Sequence, residues 1–178
     1  MIETERLVIR PPRLEDAADL AAAYGDPEAV RYIGDGSTAT LAEVEEAIAF
    51  WLTRWEANGL SLCALERRED GRVLGRSGFL VWDTAVWEPS TFAEAGPRAR
   101  VEIGWMLARE HWGHGYATEA ALALRDWAIA ERGLTRLISL IRPGNEASVR
   151  VAERIGELHM GTVEMRGLPA LVYAYDAA

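Results

Sequence analysis

Between Val101 and Glu131 a strand-like run ends at Ala108, a helix-like run starts at Ala117, and Trp112-Gly113-His114-Gly115-Tyr116 lies between them. No other segment constrains the fold as much. Two glycines separated by one residue let the backbone come close to a ligand. The first turn of the following helix offers unpaired N–H groups and the positive end of the helix dipole, which suits a phosphate or pyrophosphate. The same residues also make a tight strand-to-helix turn that needs no ligand, so other segments must decide between the two readings.

Two nucleotide-binding patterns do not fit. A dinucleotide fold places Gly-x-Gly-x-x-Gly after its first strand and an acid at the end of the next one. Here Thr118 stands at the third glycine position and the next strand ends in Arg142. A P-loop needs a lysine, and all 19 basic residues are arginines, which also excludes Schiff-base chemistry on lysine. The net charge of −9 supplies no basic face, so no nucleic-acid partner is expected. No apolar run approaches the ~20 residues that span a bilayer. The amino terminus, Met1 to Arg6, lacks the basic start and apolar run of a signal peptide. A cytoplasmic protein with no membrane partner is therefore expected. Cys63 is the only cysteine, so neither an intrachain disulfide nor a cysteine metal cluster can form, and no metal is expected. Its apolar surroundings, Leu60 to Leu65, predict a buried, inert thiol rather than a nucleophile.

The length of 178 residues fits one domain over residues 1–178. Strands are expected at Glu5–Arg10, Leu60–Arg67, Val73–Trp82, Arg100–Ala108 and Arg136–Arg142, with two more between His159 and Tyr175. Helices are expected at Arg13–Tyr24, from Leu41 to a stop at Gly59, from Ala117 to Gly133, and at Asn145–Ile155. Thr40-Leu41-Ala42-Glu43 has capping-box spacing, and Glu69-Asp70-Gly71-Arg72 reads as a hairpin turn. Asp83 to Ala99 shows no period and reads as a long surface loop, of the kind often used in function. Hairpin-clustered strands with helices between them give an α+β, mixed α/β class.

Trp112-Gly113-His114-Gly115-Tyr116-Ala117-Thr118-Glu119-Ala120 resembles the acetyl-CoA pyrophosphate loop of the GCN5-related N-acetyltransferase (GNAT) superfamily. It is most similar to the ribosomal-protein-alanine N-acetyltransferase, RimJ/RimL-like, branch. Glu5 to Arg10 resembles that branch's opening strand, Val101 to Leu107 its splayed fourth strand, and Asn145 to Gly156 its Asn-x-x-Ser helix, all in the expected order. The resemblance implies a central, mostly antiparallel twisted sheet of about seven strands, splayed between the fourth and fifth and flanked by helices. It implies acetyl-CoA as co-substrate. Main-chain groups of Met106 and Leu107 would meet the pantetheine arm. Gly113, His114, Gly115, Tyr116, Ala117 and Thr118 would hold the pyrophosphate. Asn145 would bond the pantetheine, and Ser148 would lie near the thioester sulfur. Asn145 is also an ordinary helix N-cap, and Ser148 an ordinary first-turn residue.

Acetyl transfer to an amine requires a base for the amine proton, polarisation of the carbonyl, and a proton for the departing thiolate. Glu102 is the candidate base, since it shares a strand face with Gly104 and Met106. The alternative is a strand-edge carboxylate paired with Arg98 or Arg100. Ser148 is the candidate acid, with Tyr173 and Tyr175 as alternatives. Some relatives carry a glutamate on the fifth strand and a tyrosine in the next helix; Leu140 and Ala152 occupy those positions here. Gly156-Glu157 replaces the usual Gly-Phe. Trp87 and Glu88 of the long loop are candidates for recognising a cationic acceptor.

Direct acetyl transfer to a primary amine is thus expected, the acceptor being a small molecule or a protein amino terminus. Two other readings stay open: a non-catalytic acyl-CoA-binding or interaction domain, and transfer from a longer acyl-CoA such as succinyl-CoA. A homodimer is compatible with the resemblance, and no sequence feature bears on it.

Overall fold

The computed structural model describes residues 1–177. One sheet organises the chain, with long strands β1 (Leu7–Arg10), β2 (Leu62–Arg67), β3 (Val73–Asp83), β4 (Ala99–Leu107), β5 (Arg136–Ile141), β6 (Leu158–Met165) and β7 (Leu168–Asp176). Their spatial order is β1-β2-β3-β4-β5-β7-β6, and the two-residue strands Ile2–Glu3 and Glu88–Pro89 pair with β1 and β3. Every neighbouring pair is antiparallel except β4 and β5, which run parallel and are bridged only at Glu102–Ile138. Beyond that point the two strands separate, and Gly104 to Leu107 have no sheet neighbour on the β5 side. This is the splay that the resemblance implies.

Four longer helices cover the two faces: α1 (Ala17–Tyr24), α2 (Leu41–Asn58), α3 (Tyr116–Arg132) and α4 (Glu146–Arg154). The α2 start carries the expected capping box, with Thr40 and Glu43 exchanging side-chain-to-backbone bonds, and Gly59 ends the helix in the left-handed region. On one face Leu20, Val44, Ile48 and Trp51 pack against Leu62, Ala64 and Val73. On the other, the small side chains Ala120, Ala121 and Ala128 bring α3 close to Phe79, Val101, Ile103 and Leu107. Burying apolar area on both faces, at roughly 25 cal/mol per Å², holds the sheet rigid where the splay opens.

Asp83 to Ala99 is not the unstructured loop expected from sequence. It folds back on β3 through Glu88–Pro89, forms a helix at Phe92–Ala95 with a second capping box at Thr91 and Glu94, and a 3-10 turn at Gly96–Arg98. These pieces are too short to set a hydrophobic period. The last hairpin turns tightly at Arg166-Gly167, both with positive φ, and Leu168 and Pro169 already pair within β7.

Candidate active site

The strand-to-helix junction takes the conformation that its glycines permit. Gly113 and Gly115 have φ of 79° and 82°, and Gly115 is the N-cap of α3 with no side chain capping the helix. The first-turn N–H groups of α3 therefore have no side-chain acceptor at their cap, as a bound pyrophosphate would require. Glu119 lies in the first turn of α3. It accepts from Thr4 Oγ1 at 2.6 Å and from Arg6 Nε at 2.7 Å, while Arg6 Nη1 donates to His114 O at 2.9 Å. The amino-terminal segment thereby clamps the glycine turn.

The splay opens into a cavity of about 590 Å³ between β4 and β5. Glu102, Gly104, Trp105, Asn145 and Ser148 all line it, the first three from β4 and the last two from the start of α4. Of the two β4 positions expected to turn main-chain groups to the gap, Leu107 does so and Met106 does not. Ala108 N donates to Leu74 O, so the even-numbered residues of β4 bond to β3. Met106 thus turns its carbonyl toward β3, and Trp105 and Leu107 face the gap. The Leu107 carbonyl accepts from Trp112 Nε1 at 2.8 Å.

Glu102 is half-buried on the cavity wall. Burial pushes its pKa up to about 7, against the opposing effects of a bond from the Trp82 indole, the positive charge of Arg76 and the Leu140 main-chain N–H. Trp82 Nε1 donates to Glu102 Oε2 at 2.6 Å. Neither arginine considered from sequence pairs with it: Arg98 holds Asp83, and Arg100 donates to Pro97 and Ala99 carbonyls.

Ser148 stands across the gap on α4. Its hydroxyl accepts from Trp105 Nε1 at 3.2 Å, and its N–H donates to Asn145 Oδ1 at 3.2 Å. Accepting from an indole leaves the hydroxyl proton of Ser148 to be directed elsewhere. Asn145 does cap α4, and its amide nitrogen is still available for a second bond.

The remaining candidates lie apart. Trp87 borders a second, shallower recess of about 790 Å³, which contains neither Glu102 nor Ser148. Glu88 is ion-paired with Arg166, and it is Arg166 that lines the first cavity. Tyr173 is buried against His159, Tyr175 lies under Arg125, and neither borders the cavity. Cys63 is buried, and burial pushes its thiol up to about 12, so it is not a nucleophile at neutral pH.

Two groups near the cavity were not among the residues expected to carry chemistry. Arg76 is buried in the cavity wall. Glu157 is 2% exposed, and neither carboxyl oxygen has a hydrogen-bond partner. Burial pushes its pKa up to about 8; the neighbouring Ser139 opposes this and the charge of Glu102 adds to it. The Ser139 hydroxyl itself donates to Ile103 O at 2.9 Å. Glu157 is therefore a neutral carboxyl at pH 7, which is how a chain tolerates an acid in place of an apolar side chain there.

Residues 6–157 match the family described as acetyltransferase (GNAT) domain. The protein YkkB of Bacillus subtilis (strain 168) is 32% identical over 171 residues, covering 96% of this chain and 92% of that protein. The crystal structure of an acetyltransferase from Agrobacterium tumefaciens str. C58 superposes with a TM-score of 0.76 at 30% identity, covering 98% of this chain and 92% of that one. RimL, a ribosomal L7/L12 alpha-N-protein acetyltransferase solved with coenzyme A, shares the fold at a TM-score of 0.77 and 14% identity, over 98% of this chain and 96% of that one.

Proposed function

Because the chain belongs to the GNAT acetyltransferase family, we propose that it moves an acetyl group from acetyl-CoA directly to a primary amine, on a small molecule or a protein amino terminus. Acetyl-CoA supplies an acyl group already activated as a thioester. The chain's own residues hold it and manage two protons. Main-chain N–H groups from Gly113 to Thr118 hold the pyrophosphate, a role supported by the two left-handed glycines and the side-chain-free cap of α3. Trp105 and Leu107 offer main-chain groups to the pantetheine arm in the splay, and the Asn145 amide offers another.

Glu102 takes the proton from the amine. A carboxylate held near pH 7 is matched to that task, and the Trp82 indole fixes its orientation. Ser148 gives a proton to the departing sulfur, since Trp105 already occupies an acceptor position on its hydroxyl. Glu88 acts on the acceptor through Arg166, and Trp87 lies outside this path.

The observation that carries this reading is Glu102 on the wall of the same gap as Ser148, on the strand that leads into the glycine turn. A thiol-release assay with acetyl-CoA and a panel of primary amines tests it. Turnover on at least one amine, lost in Glu102→Gln, is expected. Acetyl-CoA binding without turnover on any amine would favour a non-catalytic acyl-CoA-binding domain.

A further inference from the structure

Arg76 is 8% exposed, on a strand that borders the cavity. Its Nε donates to Tyr24 Oη on α1 at 2.9 Å, which fixes the plane of the guanidinium. Among the described residues it makes no ion pair, and neither terminal nitrogen has a hydrogen-bond partner. An unpaired guanidinium is costly to bury, and the wall of a ligand cavity is where such a group waits for an anion.

The placement of Arg76 relative to Glu102 narrows the choice of anion. In the β3–β4 register Arg76 lies opposite Met106, and Gly78 opposite Gly104, so Arg76, Gly104 and Glu102 share one face. A Cβ added to Gly104 would lie 3.7 Å from Arg76 Nη1 and 3.9 Å from Glu102 Oε1. The cation and the carboxylate thus flank Gly104, which has no side chain, and do not close on each other. An anion at Arg76 stands beside an amine at Glu102.

We propose that Arg76 binds a carboxylate carried by the acceptor close to its amine, so that the substrate is a small amino acid rather than a simple amine or a peptide amino terminus. The bare face of Gly104 leaves room for the carbon that links the two groups. Planar, bidentate recognition of a carboxylate is what a fixed guanidinium does best. This inference rests on the acetyltransferase reading of the same site.

The test compares L-amino acids with their carboxamides as acceptors, by thiol release from acetyl-CoA. Wild-type enzyme is expected to favour the acids, and Arg76→Gln to lose about 10- to 100-fold more kcat/KM on the acid than on the amide. Calorimetric titration of the same acids, without acetyl-CoA, should show binding that Arg76→Gln abolishes. Gly104→Ala adds a methyl group at ordinary contact distance, so the fold tolerates it, and it should raise KM for the acids.

Equal or better use of the amides by wild-type enzyme would overturn the inference and leave the acetyltransferase reading intact. A preference for succinyl-CoA over acetyl-CoA that Arg76→Gln reverses would also overturn it, by assigning the carboxylate to the acyl chain. Absence of turnover on acids and amides alike, with turnover on other primary amines, would also overturn the inference; absence of turnover on every primary amine would refute the acetyltransferase reading itself.

Discussion

The Trp82 indole N–H meets the Glu102 carboxylate at 2.6 Å, diagonally across the β3–β4 pair. Trp82 is itself 5% exposed, so the bond is fixed by packing, and Glu102 lines the cavity. A carboxylate held this way keeps its position on the cavity wall.

The pH dependence of catalysis follows from that group. Glu102 carries a proton below about 7 and cannot accept another. kcat/KM should therefore rise with pH through about 7. Glu102→Gln should remove this limb, leave any limb due to the amine itself, and lower kcat/KM by about 100- to 10,000-fold. A pH–rate profile of both proteins checks this. A limb near 7 that persists in the variant would free Glu102 of the role.

Ser148 should act on the chemical step rather than on cofactor affinity. Ser148→Ala keeps the N-terminal cap of α4, because the bond to Asn145 uses the main-chain N–H. Its kcat should fall by about 10- to 100-fold, with little change in the Kd for acetyl-CoA. Trp105→Phe, which removes the indole donor to the same hydroxyl, should lower kcat in the same direction by less.

The glycine turn should separate affinity from packing. A Cβ on Gly113 would meet nothing within 4 Å, but its φ of 79° is unfavourable for any other residue. Gly113→Ala should cost about 1–2 kcal/mol of backbone strain, visible as a modest drop in Tm. Its acetyl-CoA affinity should fall further than that strain explains, because the new methyl group stands where the cofactor approaches.

Glu157 gives a stability prediction of definite sign. In the folded chain it keeps its proton to about pH 8, whereas the unfolded chain releases it near 4.5. The unfolded state is therefore favoured increasingly between those values, and Glu157 subtracts stability as pH rises through that window. Glu157→Gln should remove this slope, so its Tm advantage over the natural chain grows from pH 5 to 8. The gain reaches on the order of a few kcal/mol. A constant difference across that range would contradict the buried, neutral carboxyl.

Much of the frame could be read before folding was considered. Gly113 and Gly115 at a strand end, the Thr40–Glu43 spacing and the stop at Gly59 are local signals, and local geometry obeys them. What escaped depends on register or on distant partners. Which residues of β4 face the splay is set by the phase of its ladder with β3, which the sequence of the strand alone does not carry, and that phase presents Trp105 there rather than Met106. Arg76 is oriented by Tyr24, 52 positions away on α1, and nothing in Gly75-Arg76-Ser77 announces that contact. Glu157 stood out as a departure from Gly-Phe, but its burial follows from how α4 and β5 pack. In the Asp83–Ala99 segment a capping-box signal was present at Thr91 and Glu94, yet the helix it opens has only four residues and no period.

Calorimetric titration of the purified protein with acetyl-CoA, beside free CoA, tests the central claim most directly. The account predicts a Kd near micromolar, about −8 kcal/mol, weakened in Gly113→Ala. No binding of either compound would mean that the glycine turn holds no cofactor, and the enzymatic reading would fall with it.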